Sequence, residues 1–299
     1  MQQNQKGGKI RDYLLLVKFS LTIMVVFSAV VSYLLAPRVV EYDVTSILLL
    51  FVAGFLVTGS ANAINQITEK DSDALMKRTA GRPIASGRMS VTEGWVFAVI
   101  SGVAGVVLMG YWFNWLAAAL SAFSLFLYAF IYTPLKKVNS ISVLVGAFPG
   151  ALPCLIGFAA GNDAIFMAEN GFKDLGGWAL FAIQFFWQFP HFWAIAWLAH
   201  KDYETAGFRL LPSEKGPTRY SAIQSVIYSA LLIPVGFIPY LVGITGIVSL
   251  VIVLIANLAM VWLSIRLYRK MERGAARGVM FGSYIYLLVV FFALLADKT

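Results

Sequence analysis

Residues 44–64 read VTSILLLFVAGFLVTGSANAI, an apolar run in which no side chain is charged. A helix needs about 20 mostly apolar residues to cross the hydrocarbon core of a membrane. The run is long enough for that, and it leads directly into residues 65–83, NQITEKDSDALMKRTAGRP, which are rich in charge. This stretch predicts a transmembrane helix that ends in a polar site.

The composition of the whole chain agrees with lipid surroundings. Of the 299 residues, 60% are hydrophobic and 13% are charged, whereas soluble domains carry about 25% charged residues. We expect an all-α integral membrane protein, one domain over 1–299 with a polar tail at 1–10, built as two four-helix halves around a central cavity plus one extra helix. Nine runs are candidate spans: 14–35, 44–64, 91–110, 116–133, 141–160, 177–199, 221–242, 244–266 and 279–296.

The basic residues predict the orientation of these spans. Nineteen Lys and Arg residues fall on the side of the N-terminus and three on the other side, with Lys18 inside the first span. Basic residues favour the cytoplasmic side, so the N-terminus is predicted to be cytoplasmic and the C-terminus outside. The short N-terminus favours a prokaryotic plasma membrane. The net charge of +8 sits at span ends, which indicates the lipid bilayer and an anionic substrate as partners rather than nucleic acid.

Residues 65–90 form the first long cytoplasmic connection. Asn65, Glu69 and Asp73 recur at helical spacing, so a continuing helix places them on one face, and Lys77 extends the row. Carboxylates hold Mg²⁺, which takes phosphate oxygens as further ligands. We predict a Mg²⁺–diphosphate site whose phosphate charge is neutralised by basic residues that follow: Lys77, Arg78 and Arg82. A solvated helix end with Glu–Lys pairs is the alternative.

Two more cytoplasmic connections carry charges that could complete this site. Residues 200–220 follow the sixth span and contain Lys201, Asp202 and Glu204. The fourth connection contributes Tyr132 and Lys136. Lysines are common at the cytoplasmic ends of membrane spans. The alternative for the lysine of the fourth connection is therefore that it only reflects the orientation of the chain in the membrane.

The sixth span contains polar residues half-way along its length. Gln188 and His191 flank Pro190, which removes a backbone hydrogen bond and kinks the helix. Polar residues inside a membrane span are a functional-site hypothesis by default. A packed hydrogen bond between helices is the alternative for both side chains.

With these residues assembled, the chain resembles the UbiA-type intramembrane prenyltransferases, and within them the branch that acts on haem. The resemblance covers all nine spans and rests on three segments: 65–88, 132–157 with YTPLKK and GAFPGALPCLIG, and 187–212 with WQFPHFWA and KDYETAGFRLLP. The haem branch usually has Asp where this chain has Glu69, and the second acidic motif is thin, with Asp202 as its best member.

The resemblance implies a reaction. Farnesyl diphosphate would bind through Mg²⁺ between the two acidic connections, and the allylic cation left after ionisation would be attacked by the 2-vinyl group of haem B. Asn65, Glu69 and Asp73 would form the metal and diphosphate face, with Asp202 opposite as a further ligand. Residues for the diphosphate are Lys77, Arg78, Arg82, Tyr132, Lys136 and Lys201, while Gln188 and His191 would contact haem or handle the proton. A downstream haem-modifying enzyme or a terminal oxidase assembly is the implied protein partner.

Two other function classes compete with this interpretation. A prenyltransferase that acts on an aromatic acid in quinone synthesis would share the acidic motif, and the PHFWA segment of the sixth span argues for haem instead. A transporter would place ionisable groups near the middle of the membrane, whereas nearly all carboxylates here lie at the cytoplasmic ends of the spans.

Overall fold

The computed structural model describes residues 8–213 and 215–299, which form helices joined by short connections. One isolated antiparallel bridge pairs Thr245 with Lys298. The predicted tail at 1–10 lies mostly outside the described residues, and Lys9 already begins the first helix. The helices are α1 Lys9–Leu16, α2 Phe19–Leu34, α3 Val44–Thr68, α4 Lys70–Leu75, α5 Val91–Trp112, α6 Trp115–Phe126, α7 Thr133–Leu135, α8 Ser142–Asn162, α9 Gly176–Leu198, α10 His200–Thr205, α11 Arg219–Val235, α12 Ile238–Leu241, α13 Ile247–Lys270 and α14 Arg273–Ala296.

Most of these helices belong to segments that are both long enough and apolar enough to cross a membrane. Within the described ranges, seven helical segments are long and apolar enough to cross a membrane. The helices α1 and α2, which are bent by 49° relative to each other, make an eighth if they count as one span. The helix α9 has 23 residues but carries Gln184, Gln188 and His191 in its interior. These polar residues lower the mean hydropathy of α9, and for that reason α9 is not among the seven segments.

Capping residues set where several of these helices begin. Asp43 accepts hydrogen bonds from the backbone N–H groups of Thr45 and Ser46 ahead of α3. Such side-chain oxygens satisfy N–H groups that have no partner inside the helix, which matters most where water is scarce. The same type of cap starts three more helices: Ser90 before α5, Asn114 before α6 and Thr218 before α11.

The helices pack in sequence into two groups that meet at α8. In the first group α2 contacts α3, α3 contacts α5, and α5 contacts α6; in the second, α8 contacts α9, α9 contacts α11, and α11 contacts α13. The helix α8 also packs against α2 and α6, and α14 packs against α2, α9 and α13. A cavity of about 70 Å³ lies among α2, α3, α6 and α8. It is therefore bounded by helices of the first group on one side and by α8 on the other, and the predicted central cavity between two halves stays a prediction.

Small residues let α2 and α8 approach closely. A Cβ atom built at Gly157 of α8 would overlap the backbone carbonyl of Ala29 in α2. In membranes, close backbone approach replaces the hydrophobic effect as the main source of helix association. Gly157 thus fixes the distance between the two groups of helices.

A buried carboxylate organises the connection between α8 and α9. Asp174 accepts hydrogen bonds from the side chains of Asn162 and Asn170 and from the backbone N–H groups of Ala168 and Asn170. Burial disfavours the charge of the carboxylate, but these hydrogen bonds outweigh burial and hold the pKa of Asp174 below its usual value. The charged form is therefore part of the folded state.

We expect Asp174→Asn to lower the free energy of unfolding at pH 7 by about 2 kcal/mol, because hydrogen bonds to a charged acceptor contribute about 1.5–3 kcal/mol. A depressed pKa stabilises the fold above the unfolded pKa, and this contribution is lost as pH falls through the folded pKa. Thermal unfolding in detergent should show a gap between wild type and variant at pH 7 that narrows below the ordinary aspartate pKa of 3.8. A gap that stays constant with pH would contradict this role.

Candidate functional site

The charged end of α3 places three side chains on one buried face. The backbone N–H of Glu69 donates to Asn65 O and that of Asp73 donates to Glu69 O, so the helical register continues from α3 into α4. Asn65, Glu69 and Asp73 are 1%, 5% and 0% exposed, respectively. Buried carboxylates are rare unless they are paired. Burial thus contradicts the alternative of a solvated helix end, while the predicted metal and diphosphate role of this face stays a prediction.

The helix ends earlier than its sequence indicates. α4 stops at Leu75, and Met76 is extended with ψ 129°. Lys77 therefore does not continue the row of Asn65, Glu69 and Asp73, and its side chain is exposed. The prediction that the helix continues to Lys77 was wrong, because the connection after Leu75 folds into turns such as the one closed by Thr79 N–H on Met76 O.

Each of the two carboxylates on this face pairs with a basic residue from another segment. Lys136 Nζ lies 2.9 Å from Glu69 Oε1. Arg82 Nη1 donates to both carboxylate oxygens of Asp73, at 2.7 and 2.6 Å. Lys18 Nζ donates to Asn65 Oδ1 at 2.8 Å. We call these six residues the ionic cluster: Lys18, Asn65, Glu69, Asp73, Arg82 and Lys136.

The π-helical turn Leu127–Tyr132 positions the fourth connection against this cluster. Such single turns are frequent at functional sites because they rotate the residues that follow. The hydroxyl of Thr133 donates to Tyr128 O and accepts from Asn65 Nδ2. The ammonium of Lys136 lies 4.6 Å from the ring centroid of Tyr132. Burial disfavours the charge of Lys136, but the neighbouring carboxylate of Glu69 is among the groups that outweigh it, and the pKa of Lys136 is raised.

The connection after α9 contacts the first and fourth connections through Tyr203 and Arg209, rather than through Lys201 and Asp202, which the sequence singled out. Arg78 donates to the hydroxyl of Tyr203 at 2.8 Å and lies over its ring, while the backbone N–H of Arg209 donates to Lys136 O. Lys201 is exposed and Asp202 is half-buried on α10. Over the described ranges, no three His, Cys, Asp or Glu side chains are grouped closely enough to hold a metal. Asp202 thus stands apart from Glu69 and Asp73 in this conformation.

The donor chemistry of the ionic cluster fits Mg²⁺ accompanied by a diphosphate. Mg²⁺ is usually bound through one or two carboxylates together with substrate phosphates, rather than by an all-protein cage. Glu69 and Asp73 supply two carboxylates, and each carboxylate has about four lone-pair sites, so an ion pair does not exhaust it. Lys18, Arg82 and Lys136 bring the positive charge that a polyanion needs.

The polar residues of α9 form hydrogen bonds between helices, which was the alternative considered for them. Gln188 Nε2 donates to Ala147 O of α8 at 3.1 Å, and Gly150 leaves room for the amide. His191 Nδ1 lies 2.8 Å from Ser283 Oγ of α14, and its ring stacks on Trp187 at 4.7 Å. These contacts fix both side chains beside α8 and α14, and their predicted roles toward haem stay predictions.

Residues that the sequence did not select also belong to the site. Lys18 lies in the ionic cluster, and its signal was a charged residue inside an apolar run. Tyr128 lines the cavity among α2, α3, α6 and α8, together with Asn62, which precedes Asn65 by one turn of α3. The cavity thus opens beside the ionic cluster. A charged group next to an apolar space suits an amphiphile with an anionic head and an apolar tail.

The fold and this cluster define a class of protein, a polytopic helical membrane protein with a buried group of charged side chains beside an apolar cavity. Comparison with known proteins identifies its family. The model of the UbiA prenyltransferase family matches residues 25–294. The protoheme IX farnesyltransferase of Cytophaga hutchinsonii is 42% identical over 98% of this chain and 99% of its own length. The chain belongs to the UbiA prenyltransferase family.

Solved structures show the same fold at low sequence identity. The structure of a digeranylgeranylglyceryl phosphate synthase covers 97% of this chain and 98% of its own, with a TM-score of 0.77 and 20% identity. A UbiA homolog from Archaeoglobus fulgidus, bound to GPP and Mg²⁺, covers 95% of this chain and 99% of its own, with a TM-score of 0.64 and 14% identity. At these identities the similarity concerns the fold alone.

Proposed function

We propose that the protein transfers a farnesyl group from farnesyl diphosphate to the 2-vinyl group of protohaem IX, haem B, with release of diphosphate and formation of haem O. The observation that carries this is the 42% identity with a protoheme IX farnesyltransferase along essentially the whole of both chains. The buried ionic cluster supports it, since a prenyl diphosphate combines the anionic head and apolar tail that the site suits.

The ionic cluster binds the diphosphate and promotes its departure. As the bond between C1 and the diphosphate oxygen breaks, the electron pair moves to that oxygen, and Arg82 and Lys136 stabilise the added charge from fixed positions. Mg²⁺, when bound, neutralises part of the same charge as a Lewis acid. Glu69 and Asp73 are the residues that would hold it, with Asn65 beside them and Asp202 as a ligand only after the α10 connection moves.

The apolar surroundings protect the allylic cation until the acceptor reacts. The cavity beside the cluster is lined mainly by aliphatic side chains and Tyr128, which keeps water from the cation. The 2-vinyl group of haem attacks C1, and water adds to the resulting benzylic-type cation with loss of one proton. The products are a hydroxyethylfarnesyl haem and diphosphate.

His191 would interact with haem or with that proton through Nε2, and its contact with Ser283 supports this assignment. The hydroxyl of Ser283 donates to Met280 O at 2.6 Å. Because a hydroxyl has one proton, the 2.8 Å contact with His191 requires Nδ1–H of the imidazole to donate to Ser283 Oγ. The lone pair then resides on Nε2. Gln188, one turn away, stays a candidate for the same acceptor side.

The membrane arrangement proposed here counts nine spans. α1 with α2 forms one bent span, and α9 supplies the span that the apolar run at 177–199 predicted. The connections after α3, α7, α10 and α13 carry most of the basic residues, and basic residues favour the cytoplasmic side. The ionic cluster therefore faces the cytoplasm, and the membrane is the plasma membrane of a prokaryotic cell.

Product analysis tests the function directly. Lipid-reconstituted protein incubated with haem B, farnesyl diphosphate and Mg²⁺ should convert haem into a species heavier by one farnesyl and one hydroxyl group, and EDTA should abolish the conversion. An adduct on an aromatic acid, with none on haem, would keep the prenyltransferase activity and overturn the acceptor. An equal yield of the haem adduct with and without EDTA would contradict a requirement for Mg²⁺ in the reaction.

A further inference from the structure

The exposed face of α13 changes from apolar to basic along the helix. Ile255, Leu258 and Trp262 are exposed on this face. Arg266 and Arg269 follow on it, about one and two turns closer to the end of α13, and they are exposed as well. Positions with this spacing share one side of a helix. The face therefore presents apolar side chains, then an aromatic ring and then guanidinium groups.

Aromatic rings hold two of the guanidinium groups at this end of the bundle. The guanidinium carbon of Arg266 lies 6.0 Å from the ring centroid of Trp262. That of Arg219, the first residue of α11, lies 5.8 Å from the ring centroid of Tyr268. Trp and Tyr are enriched where the membrane meets water, and a guanidinium is attracted to the face of such a ring. Arg219 and Arg266 are thus held at the depth of lipid headgroups, and each guanidinium has five N–H donors.

The ends of α13 and the starts of α11 and α14 together carry a surplus of positive charge. We call the six exposed cations there the basic surface: Arg219, Arg266, Arg269, Lys270, Arg273 and Arg277. Among the residues that the structure describes, these six make one ion pair, between Lys270 and Glu272 at 3.5 Å. Arg273 donates to a backbone carbonyl, Leu198 O, at 3.0 Å. Six cations and one carboxylate leave a net charge of +5.

Neither membrane orientation nor helix stability accounts for this surplus. Around α1 and α5, basic residues at span ends have carboxylate partners: Lys9 pairs with Glu93 at 2.7 Å, and Arg88 with Asp12 at 2.9 Å. The preference of basic residues for the cytoplasmic side is therefore compatible with paired charges. Arg219 begins α11, whose first turn contains no acidic residue, although the start of a helix favours negative charge. An anion from outside the chain would compensate the surplus.

We propose that the basic surface binds the phosphate of an anionic phospholipid, with Arg219, Arg266 and Arg269 as donors and with the acyl chains along the exposed face of α13. Arginine suits this ligand because its planar fork can donate two parallel hydrogen bonds to a phosphate. An acidic protein segment would contact the arginines alone, whereas the apolar side chains that continue the same face fit acyl chains. A zwitterionic lipid carries a cationic group, which the surplus charge repels. The site lies on α11 and α13, away from the ionic cluster, so the inference does not depend on the proposed reaction.

Titration of the detergent-solubilised full chain with phosphatidylglycerol or phosphatidylcholine, read by native mass spectrometry, tests the site. Wild type should bind phosphatidylglycerol with the lower Kd. A basic residue near an anionic lipid contributes about 1 kcal/mol, which corresponds to about a fivefold change in Kd. Arg266→Gln/Arg269→Gln should therefore raise the Kd for phosphatidylglycerol by roughly 30-fold. Arg266→Lys/Arg269→Lys, which keeps the charge and loses the fork, should lie in between, and Arg219→Gln on the other helix should raise the Kd by about fivefold.

Lys70→Gln/Lys137→Gln is the matched control, because both lysines are exposed in the connections after α3 and α7 and their loss removes the same amount of charge. It should leave the Kd for phosphatidylglycerol unchanged, and an equal loss of affinity in this control would contradict a defined site. Equal affinity of wild type for the two lipids would overturn the proposal, as would wild-type affinity in Arg219→Gln and in a double arginine variant that thermal unfolding shows to be folded. Displacement of the lipid by equimolar inorganic phosphate would identify free phosphate, and not a phospholipid, as the ligand.

Discussion

Asp73→Asn is expected to lower kcat for farnesyl transfer by about 100-fold or more, the scale seen when one preorganised electrostatic group is removed from an active site. Asp73 is fully buried, and both its oxygens accept from Arg82. The amide keeps the size of the carboxylate but loses the charge that Mg²⁺ requires, and it leaves Arg82 without its counter-ion. Activity as a function of Mg²⁺ concentration should therefore show a higher half-saturation value as well as a lower maximum.

Asp71→Asn provides the control for this result. Asp71 lies two residues away on α4, is exposed and undergoes the same loss of charge, so its kcat and Mg²⁺ requirement should match those of wild type. Thermal unfolding of both variants separates loss of chemistry from loss of the fold. Wild-type turnover by a folded Asp73→Asn protein would remove Asp73 from the metal role, and the same comparison with Glu69→Gln would decide the role of Glu69.

Gly157→Ala is expected to cause the largest loss of stability from a single methyl group. The added Cβ would overlap the carbonyl of Ala29, and backbone cannot move aside as a side chain can. Overpacking of this kind costs about 1–3 kcal/mol and occasionally more, and we expect the upper end because α2 and α8 must separate. A lower midpoint of thermal unfolding in detergent, together with reduced activity, is the measurable outcome.

Gly278→Ala is the matched comparison for the glycine prediction. Gly278 also lies in a long helix, α14, but a Cβ there would be 3.7 Å from Leu263, an ordinary contact. Because alanine has the higher helix propensity, this variant should be as stable as wild type or slightly more so. Equal stability of the two alanine variants would show that α2 and α8 are farther apart in the membrane than in this structure.

The helical segments follow closely from the apolar runs of the sequence. The predicted span at 279–296 became α14, Arg273–Ala296, and the run at 244–266 became α13, Ile247–Lys270. The helices extend past the apolar runs because charged residues such as Arg269 and Lys270 continue the backbone hydrogen bonds into the interface. The spacing of Asn65, Glu69 and Asp73 likewise anticipated their common face, since i to i+4 geometry is local.

The contacts of these residues were less predictable. Glu69 and Lys136 are 67 residues apart in sequence and pair only because α7 packs beside the end of α3. Lys18 belongs to the ionic cluster because the helix breaks between α1 and α2, and no local pattern marks that break, since Phe19 follows where a proline or glycine would have signalled it. The sequence predicted that Lys201 and Asp202 provide the charges of the second half of the site. In the structure, Tyr203 is the residue of this connection that contacts Arg78.

The sequence by itself determined that this protein is a bundle of membrane-spanning helices with a carboxylate-rich face at the end of α3, because hydrophobicity and helical spacing act between near neighbours in the chain. The resemblance of its motifs to a known family supplied the reaction. Tertiary structure alone decided which cation meets which carboxylate, where the helix breaks at Lys18, and that the cavity lies among α2, α3, α6 and α8. These features depend on contacts between helices, and such contacts are set by packing shape and burial that no single segment encodes.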